Sequence, residues 1–244
     1  MKQKKFRTEH QQFIVEGVKV VKELLSSPYK VDALYCLEEY KPELVLLLDN
    51  TRSDKHPEPK IIIEQQLQKI SNLDTTNSVL AVASIPKPSY AFHQFNTRLI
   101  LALDTINDPG NLGTIIRTAA WFGIDSIICS PNTTDAWNPK AVQASMGALF
   151  RTNVVYADLK KIVEEYHKAD VPVFATSLDG TDIYKTTLSS NGLIIIGNES
   201  HGVSPELLAM INTKLLIPSF SSGVAESLNA AVAAGVVCSE FRRR

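Results

Sequence analysis

The chain of 244 residues predicts an α/β fold: a mostly parallel sheet with helices on both faces, preceded by a smaller α/β unit. Three observations carry this. Short, nearly continuous apolar runs recur after residue 98, as strands buried on both faces require. Between them lie segments with apolar residues at helical spacing. The stretch SIPKPSYAFHQFNT (84–97), with two prolines and no clean period, separates this half from a shorter alternation before it.

Taken in order, residues 13–25 (FIVEGVKVVKELL) read as a helix with Phe13, Val20, Val21, Leu24 and Leu25 on one face. Residues 31–37 read as a strand, 42–48 open a helix, 60–63 form a strand, 64–70 a helix and 79–85 (VLAVASI) a third strand. This gives a first domain over 1–90, a linker over 91–97 and a main domain over 98–244. In the main domain RLILALD (98–104) and DSIICS (125–130) are strands, with a helix between them. Helices follow near 140–149 and over 158–168. VPVFATS (171–177), GLIIIGN (192–198) and KLLIPS (214–219) are further strands, and an Ala-rich helix closes the chain from about residue 227. Such alternation argues for parallel strands joined by helical crossovers.

Composition excludes several classes. With 44% apolar residues, 11 glycines and 12 prolines, the chain is neither disordered, collagen-like nor a coiled coil. No apolar run approaches the roughly 18–20 residues that cross a bilayer, and no signal-peptide core follows the basic start. The three cysteines, Cys36, Cys129 and Cys238, lack metal-site or disulfide spacing, so a reducing cytoplasm is expected and no metal. Net charge is −1, divided as +2 over residues 1–98 and −3 over the rest, so bulk charge does not announce a nucleic-acid binder. Basic clusters at both ends, Lys2 to Arg7 and Arg242 to Arg244, suit either phosphate contact or solvated tails.

Ligands of open parallel sheets sit at the carboxyl ends of the strands, and three loops qualify. In NDPGNLGTIIRTA (107–119), Asp108-Pro109-Gly110 makes a turn, Asn111 is placed to cap the next helix, and Arg117 is the one cation in a packing helix. Alone, this is equally an ordinary strand–helix unit with a surface arginine. It is not a GxGxxG or Walker loop. In IGNESHGVSPEL (196–207), Gly197 and Gly202 bracket a tight loop carrying Asn198, Glu199 and His201, and Ser204-Pro205 starts a helix. In IPSFSSGVAESLNAAVAAGVV (217–237), Pro218 and Gly223 make an irregular loop, Ser227 is the expected cap, and Asn229 enters a helix of small residues.

Together these loops resemble the three signature motifs of the SpoU (TrmH-type) RNA ribose 2′-O-methyltransferases of the SPOUT superfamily: N-D-P-G-N-L-G-T-I-I-R, G-N-E-S-H-G-V-S and I-P…S-L-N-A-A-V-A-A, in that order. FIVEG (13–17) and SVLAVA (78–83) are similar to that family's accessory substrate-binding domain. The resemblance implies methyl transfer from S-adenosylmethionine to a ribose 2′-hydroxyl of rRNA or tRNA, a carboxyl-terminal trefoil knot, and a homodimer. It also implies catalytic roles for Arg117, Asn111, Glu199 and Asn229, with Thr176, Gly197, Ile217 and Leu228 around the methyl donor. His201 falls at a variable position and receives no role.

A guanidinium stays protonated above about pH 12, so Arg117 is expected to hold an RNA phosphate and stabilise charge on the 2′-oxygen and not to act as a base. The proton would go to phosphate, water or Glu199. Two other readings compete: a nucleotide-binding α/β enzyme, and an RNA-binding paralogue without activity.

Overall fold

The computed structural model describes residues 1–51, 56–73, 77–87, 90–220 and 227–243. Contacts group the chain into two units, one of Met1–Lys87 with Asp135–Arg151, the other of the remaining described residues.

The first unit begins with α1 (Lys4–His10), β1 (Gln12–Glu16), α2 (Val18–Leu25), β2 (Val31–Cys36) and α3 (Lys41–Thr51). It continues with β3 (Lys60–Ile61), α4 (Glu64–Ile70) and β4 (Val79–Ser84). Its sheet has the order β1-β4-β2-β3, antiparallel except between β2 and β3. The single helix expected over 13–25 is instead strand, glycine, helix. Gly17 has φ +94°, which ends β1 and turns the chain into α2. Phe13 and Val15 bury from the strand, while Val20, Val21, Leu24 and Leu25 bury from the helix. The helical period of α2 happens to run on to Phe13, so the two elements read as one.

The second unit opens with α5 (Phe92–Phe95), β5 (Leu99–Leu103), α6 (Pro109–Trp121) and β6 (Ser126–Cys129). In sequence there follow α7 (Pro139–Ser145), β7 (Asn153–Tyr156), α8 (Leu159–Lys168), β8 (Val173–Asp182) and β9 (Gly192–Ile196). The chain closes with α9 (Pro205–Leu208), β10 (Thr213–Leu216) and α10 (Ala230–Arg242). Six parallel strands take the order β10-β8-β9-β5-β6-β7. Every residue of β5, β6 and β9 is buried, as their apolar runs require. β7 (NVVY) buries only its two central valines and so forms no apolar run of the kind that announces a strand. The expected linker is not bare chain: Phe95 is buried, Tyr90 stacks on it with ring centroids 5.2 Å apart, and Phe92 meets Tyr166 of α8 edge-on.

α7 and the residues around it belong to the first unit. Phe150 packs against Phe13 and Tyr29, at centroid distances of 6.3 and 5.4 Å. Arg7, 2% exposed, donates to Asp135 from both Nε and Nη2, at 2.8 and 2.6 Å, and to the Met1 and Lys2 carbonyls. Burial pushes the Tyr29 phenol up to about 12.

Three arginines of the basic ends have protein partners: Arg7 is buried, exposed Arg242 donates to the carbonyls of Phe122 and Gly123 where α6 stops, and exposed Arg243 pairs with buried Glu240. Lys2, Lys4 and Lys5 are exposed.

Candidate active site at the strand tips

The chain winds outward from β5 through β6 to β7, then returns to the far side of the sheet for β8. The strand order therefore reverses between β5 and β9, and clefts of open α/β sheets form at such points. The segments leaving these strands carry Asn111, in the first turn of α6, and Glu199, in the loop after β9.

Each loop is shaped by its own residues. After β5, Asp108 is extended (φ −80°, ψ 121°), its Oδ1 accepts the Asn111 N–H at 2.9 Å, and Pro109 takes the first helical position. Asp108 is thus the cap expected of Asn111, which lies within the first turn and keeps its side chain for other partners. After β9, Asn198 and Gly202 exchange backbone hydrogen bonds of 3.0 and 2.8 Å, with φ +69° at Gly202. A Cβ on Gly197 would sit 2.0 Å from the Gly202 carbonyl carbon, so only glycine fits there. Ahead of α10 the cap is Asn229 and not Ser227: its Oδ1 accepts from Ala231 and Val232 N–H, leaving Nδ2 free to reach across.

The three loops meet at Asn111. Its Oδ1 accepts from Asn229 Nδ2 at 3.0 Å, and its Nδ2 donates to Glu199 Oε1 at 2.5 Å. Ser227 Oγ donates to the Glu199 carbonyl at 3.3 Å. Glu199 Oε2 has no hydrogen bond among the described residues. Arg117 is exposed on the face of α6 that also bears Thr114 and Trp121, about 9 Å along the helix axis from Asn111. Among the described residues nothing pairs with its guanidinium. The structure thus brings Asn111, Glu199 and Asn229 together and leaves Arg117 open to solvent.

Of the four residues expected around a methyl donor, Gly197 and Ile217 lie at the tips of β9 and β10, Thr176 lies within β8 at the level where β9 ends, and Leu228 lies on the approach to α10. Thr176 follows Ala175, which pairs with both Ile195 and Lys214, and its hydroxyl donates to the Ile195 carbonyl at 3.4 Å. Gly197 and Ile217 immediately follow β9 and β10. Leu228, 47% exposed, precedes the α10 cap. The β8–β10 pairing skips from Ala175 to Thr181, so the main chain of residues 176–180 is not paired with β10. Residues 221–226, including Gly223, lie outside the described residues. Among those described, no three His, Cys, Asp or Glu side chains group to hold a metal ion.

The model of the SpoU rRNA methylase family matches residues 98–239, and that of the MRM3-like substrate-binding domain matches residues 1–81. The chain belongs to the SpoU rRNA methylase family. Among SpoU relatives, it is 33% identical over 244 residues to the 23S rRNA (guanosine(2553)-2′-O)-methyltransferase RlmP of Bacillus subtilis, covering 98% of this chain and 92% of that protein. A TrmH-family structure from Porphyromonas gingivalis superposes with TM-score 0.84 at 33% identity, covering 99% and 94% of the two chains. An AdoMet-bound rRNA methyltransferase from Sinorhizobium meliloti superposes with TM-score 0.85 at 30% identity, covering 99% and 91%.

Around the SpoU motifs, sequence reasoning missed Asp104, Thr105 and Ser130. Their signal was present for Asp104 alone: a carboxylate ending the apolar run LILAL must find partners, and it accepts from Ser204 N–H at 2.8 Å.

Proposed function

We propose that this chain transfers a methyl group from S-adenosylmethionine to a ribose 2′-hydroxyl of RNA, with rRNA the first substrate to try. One observation supports this above the others: Asn111 joins Glu199 and Asn229 at the point where the strand order reverses. The strand tips fit the donor. Thr176, Gly197 and Ile217 offer main-chain groups there, and Ile217 and Leu228 offer apolar surface for a purine. When bound, the sulfonium supplies an electrophilic methyl carbon.

The chain's own residues supply alignment and charge. Asn111, held from both sides, keeps one orientation in the free protein, so little ordering remains for the reacting complex. Glu199 spends Oε1 on Asn111, and Oε2 is the atom available to take the proton from the ribose hydroxyl. Arg117 stays cationic and holds the RNA phosphate through its planar fork. The first unit, which carries the positive half of the chain's charge, is the substrate reader.

The active form is a homodimer with the carboxyl-terminal helix in its interface. Trp121 on α6 is 85% exposed and Val232 on α10 is 53% exposed, apolar surface that such an interface would cover. A carboxyl-terminal trefoil knot and a reducing cytoplasm complete the reading. Incubation with labelled S-adenosylmethionine and total RNA tests it. Label in a ribose 2′-O-methyl group is expected, with a loss of about 100-fold in Arg117→Lys; tight ATP binding without donor binding, or RNA binding without transfer, would replace it.

A further inference from the structure

Four described residues other than glycine have positive φ: Gln11, Thr105, Met146 and Asp170. Gln11 and Met146 end α1 and α7, and Asp170 follows α8, where left-handed residues close helices. Thr105 alone follows a strand. At φ +58° it is also the only β-branched member of the set, a residue type for which this region is a true outlier. Such strain persists only where the surroundings over-determine it, and it concentrates at functional sites.

The surroundings do over-determine it. The Thr105 N–H donates to Ser130 Oγ at 2.9 Å, and its hydroxyl donates to Asp104 Oδ1 at 3.0 Å. Its carbonyl accepts from Asn198 Nδ2 at 2.9 Å. Ser130 is itself fixed: its N–H donates to the Leu103 carbonyl, and its hydroxyl lies 3.1 Å from that of Thr133. Asn198 then uses Oδ1 to accept the Ser200 N–H at 2.8 Å. One side chain therefore grips the chain on both sides of Glu199. The other end of the same loop is tied to β5 by the bond from Ser204 N–H to Asp104 Oδ2.

We propose that Thr105 and Asn198 are positioning residues: the strained Thr105 carbonyl fixes Asn198, and Asn198 fixes the loop that aims Glu199 at Asn111. This rests on the proposed methyl transfer. Neither residue touches a reacting group, and each acts through Glu199.

Asn198→Asp keeps the acceptor for Ser200 and sets an oxygen against the Thr105 carbonyl. Thr105→Gly frees the backbone to relax. Three readouts are needed for each variant: melting temperature with affinity for S-adenosylmethionine, the single-turnover methyl-transfer rate, and the carbon-13 carboxyl resonance of Glu199, assigned by its loss in Glu199→Gln. For Asn198→Asp the melting temperature and donor affinity are expected to hold while the rate falls about 100-fold, the cost of a misplacement near 1 Å. Thr105→Gly is expected to melt no lower than the unmodified chain and to lose about tenfold in rate. In both, the Glu199 resonance shifts. A rate within twofold of the parent, an unmoved Glu199 resonance, or a rate that falls only in step with stability and donor affinity would overturn the assignment. A parent protein that transfers no methyl to RNA defeats the proposed function instead, and the resonance still decides the positioning.

Discussion

Asn111→Asp exchanges one NH2 for an oxygen with almost no change of shape, so the fold has no steric reason to respond. The electrostatics change sharply. The donor that meets Glu199 Oε1 at 2.5 Å becomes a second carboxylate oxygen. Two carboxylates with charge centres about 4 Å apart repel by about 4 kcal/mol at the effective dielectric near a protein surface. This raises the pH at which the pair gives up its last shared proton above the ordinary carboxylate range. Below that pH one proton lies between the two groups, and the 2.5 Å contact suits an O–H···O⁻ bond. The bond from Asn229 to the other oxygen survives throughout. An acid whose folded value is raised gives its full stability below the unfolded value and loses it as pH rises through the raised one. Single-turnover methyl transfer from pH 5.5 to 8.5 is the assay. The variant is expected to follow the parent at the acid end and to fall progressively behind it as pH rises. Parallel profiles across this range would refute the Asn111–Glu199 contact as the organiser of the site.

Three further outcomes follow from the same structure. Tyr166 of α8 is fully buried in the core, and its hydroxyl has no hydrogen-bond partner among the described residues; Tyr166→Phe is expected to add about 1 kcal/mol, or roughly 2–4 °C in melting temperature. A fragment starting at residue 91 strips the first unit from residues 135–151 and uncovers Val142, Leu149 and Phe150. At about 2 kcal/mol per side chain this costs about 6 kcal/mol, so the fragment should bind hydrophobic dyes and aggregate, and a soluble fragment melting like the whole chain would contradict it. Asp32 is pushed upward by burial, but hydrogen bonds from Ser84, Lys30 and Gln12 outweigh this and hold its carboxyl below the usual range. Its contribution is therefore present above about pH 4 and lost as pH falls through the lowered value, so Asp32→Asn should flatten the acid limb of a stability-against-pH curve.

What the sequence determined by itself was local. Buried strands announce themselves as apolar runs, so β5, β6 and β9 were legible, as was the start of α9 from Ser204-Pro205. The residues of the site were legible too, as members of motifs. What failed locally had local causes: Gly17 divided an apparently continuous helix, and β7, with only its two central valines buried, made no apolar run. Tertiary structure decided the partnerships. Asn111 finds Glu199 across 88 residues and Asn229 across 118, because β9 lies beside β5 and α10 packs on α6. The left-handed turn at Thr105 was equally hidden, since no property of threonine predicts it; Ser130 and Asn198 impose it from elsewhere in the chain. A hydrogen bond acts over about 3 Å of space and is indifferent to sequence distance. The pattern of residues could therefore name the groups of this site, and the order of the strands had to bring them together.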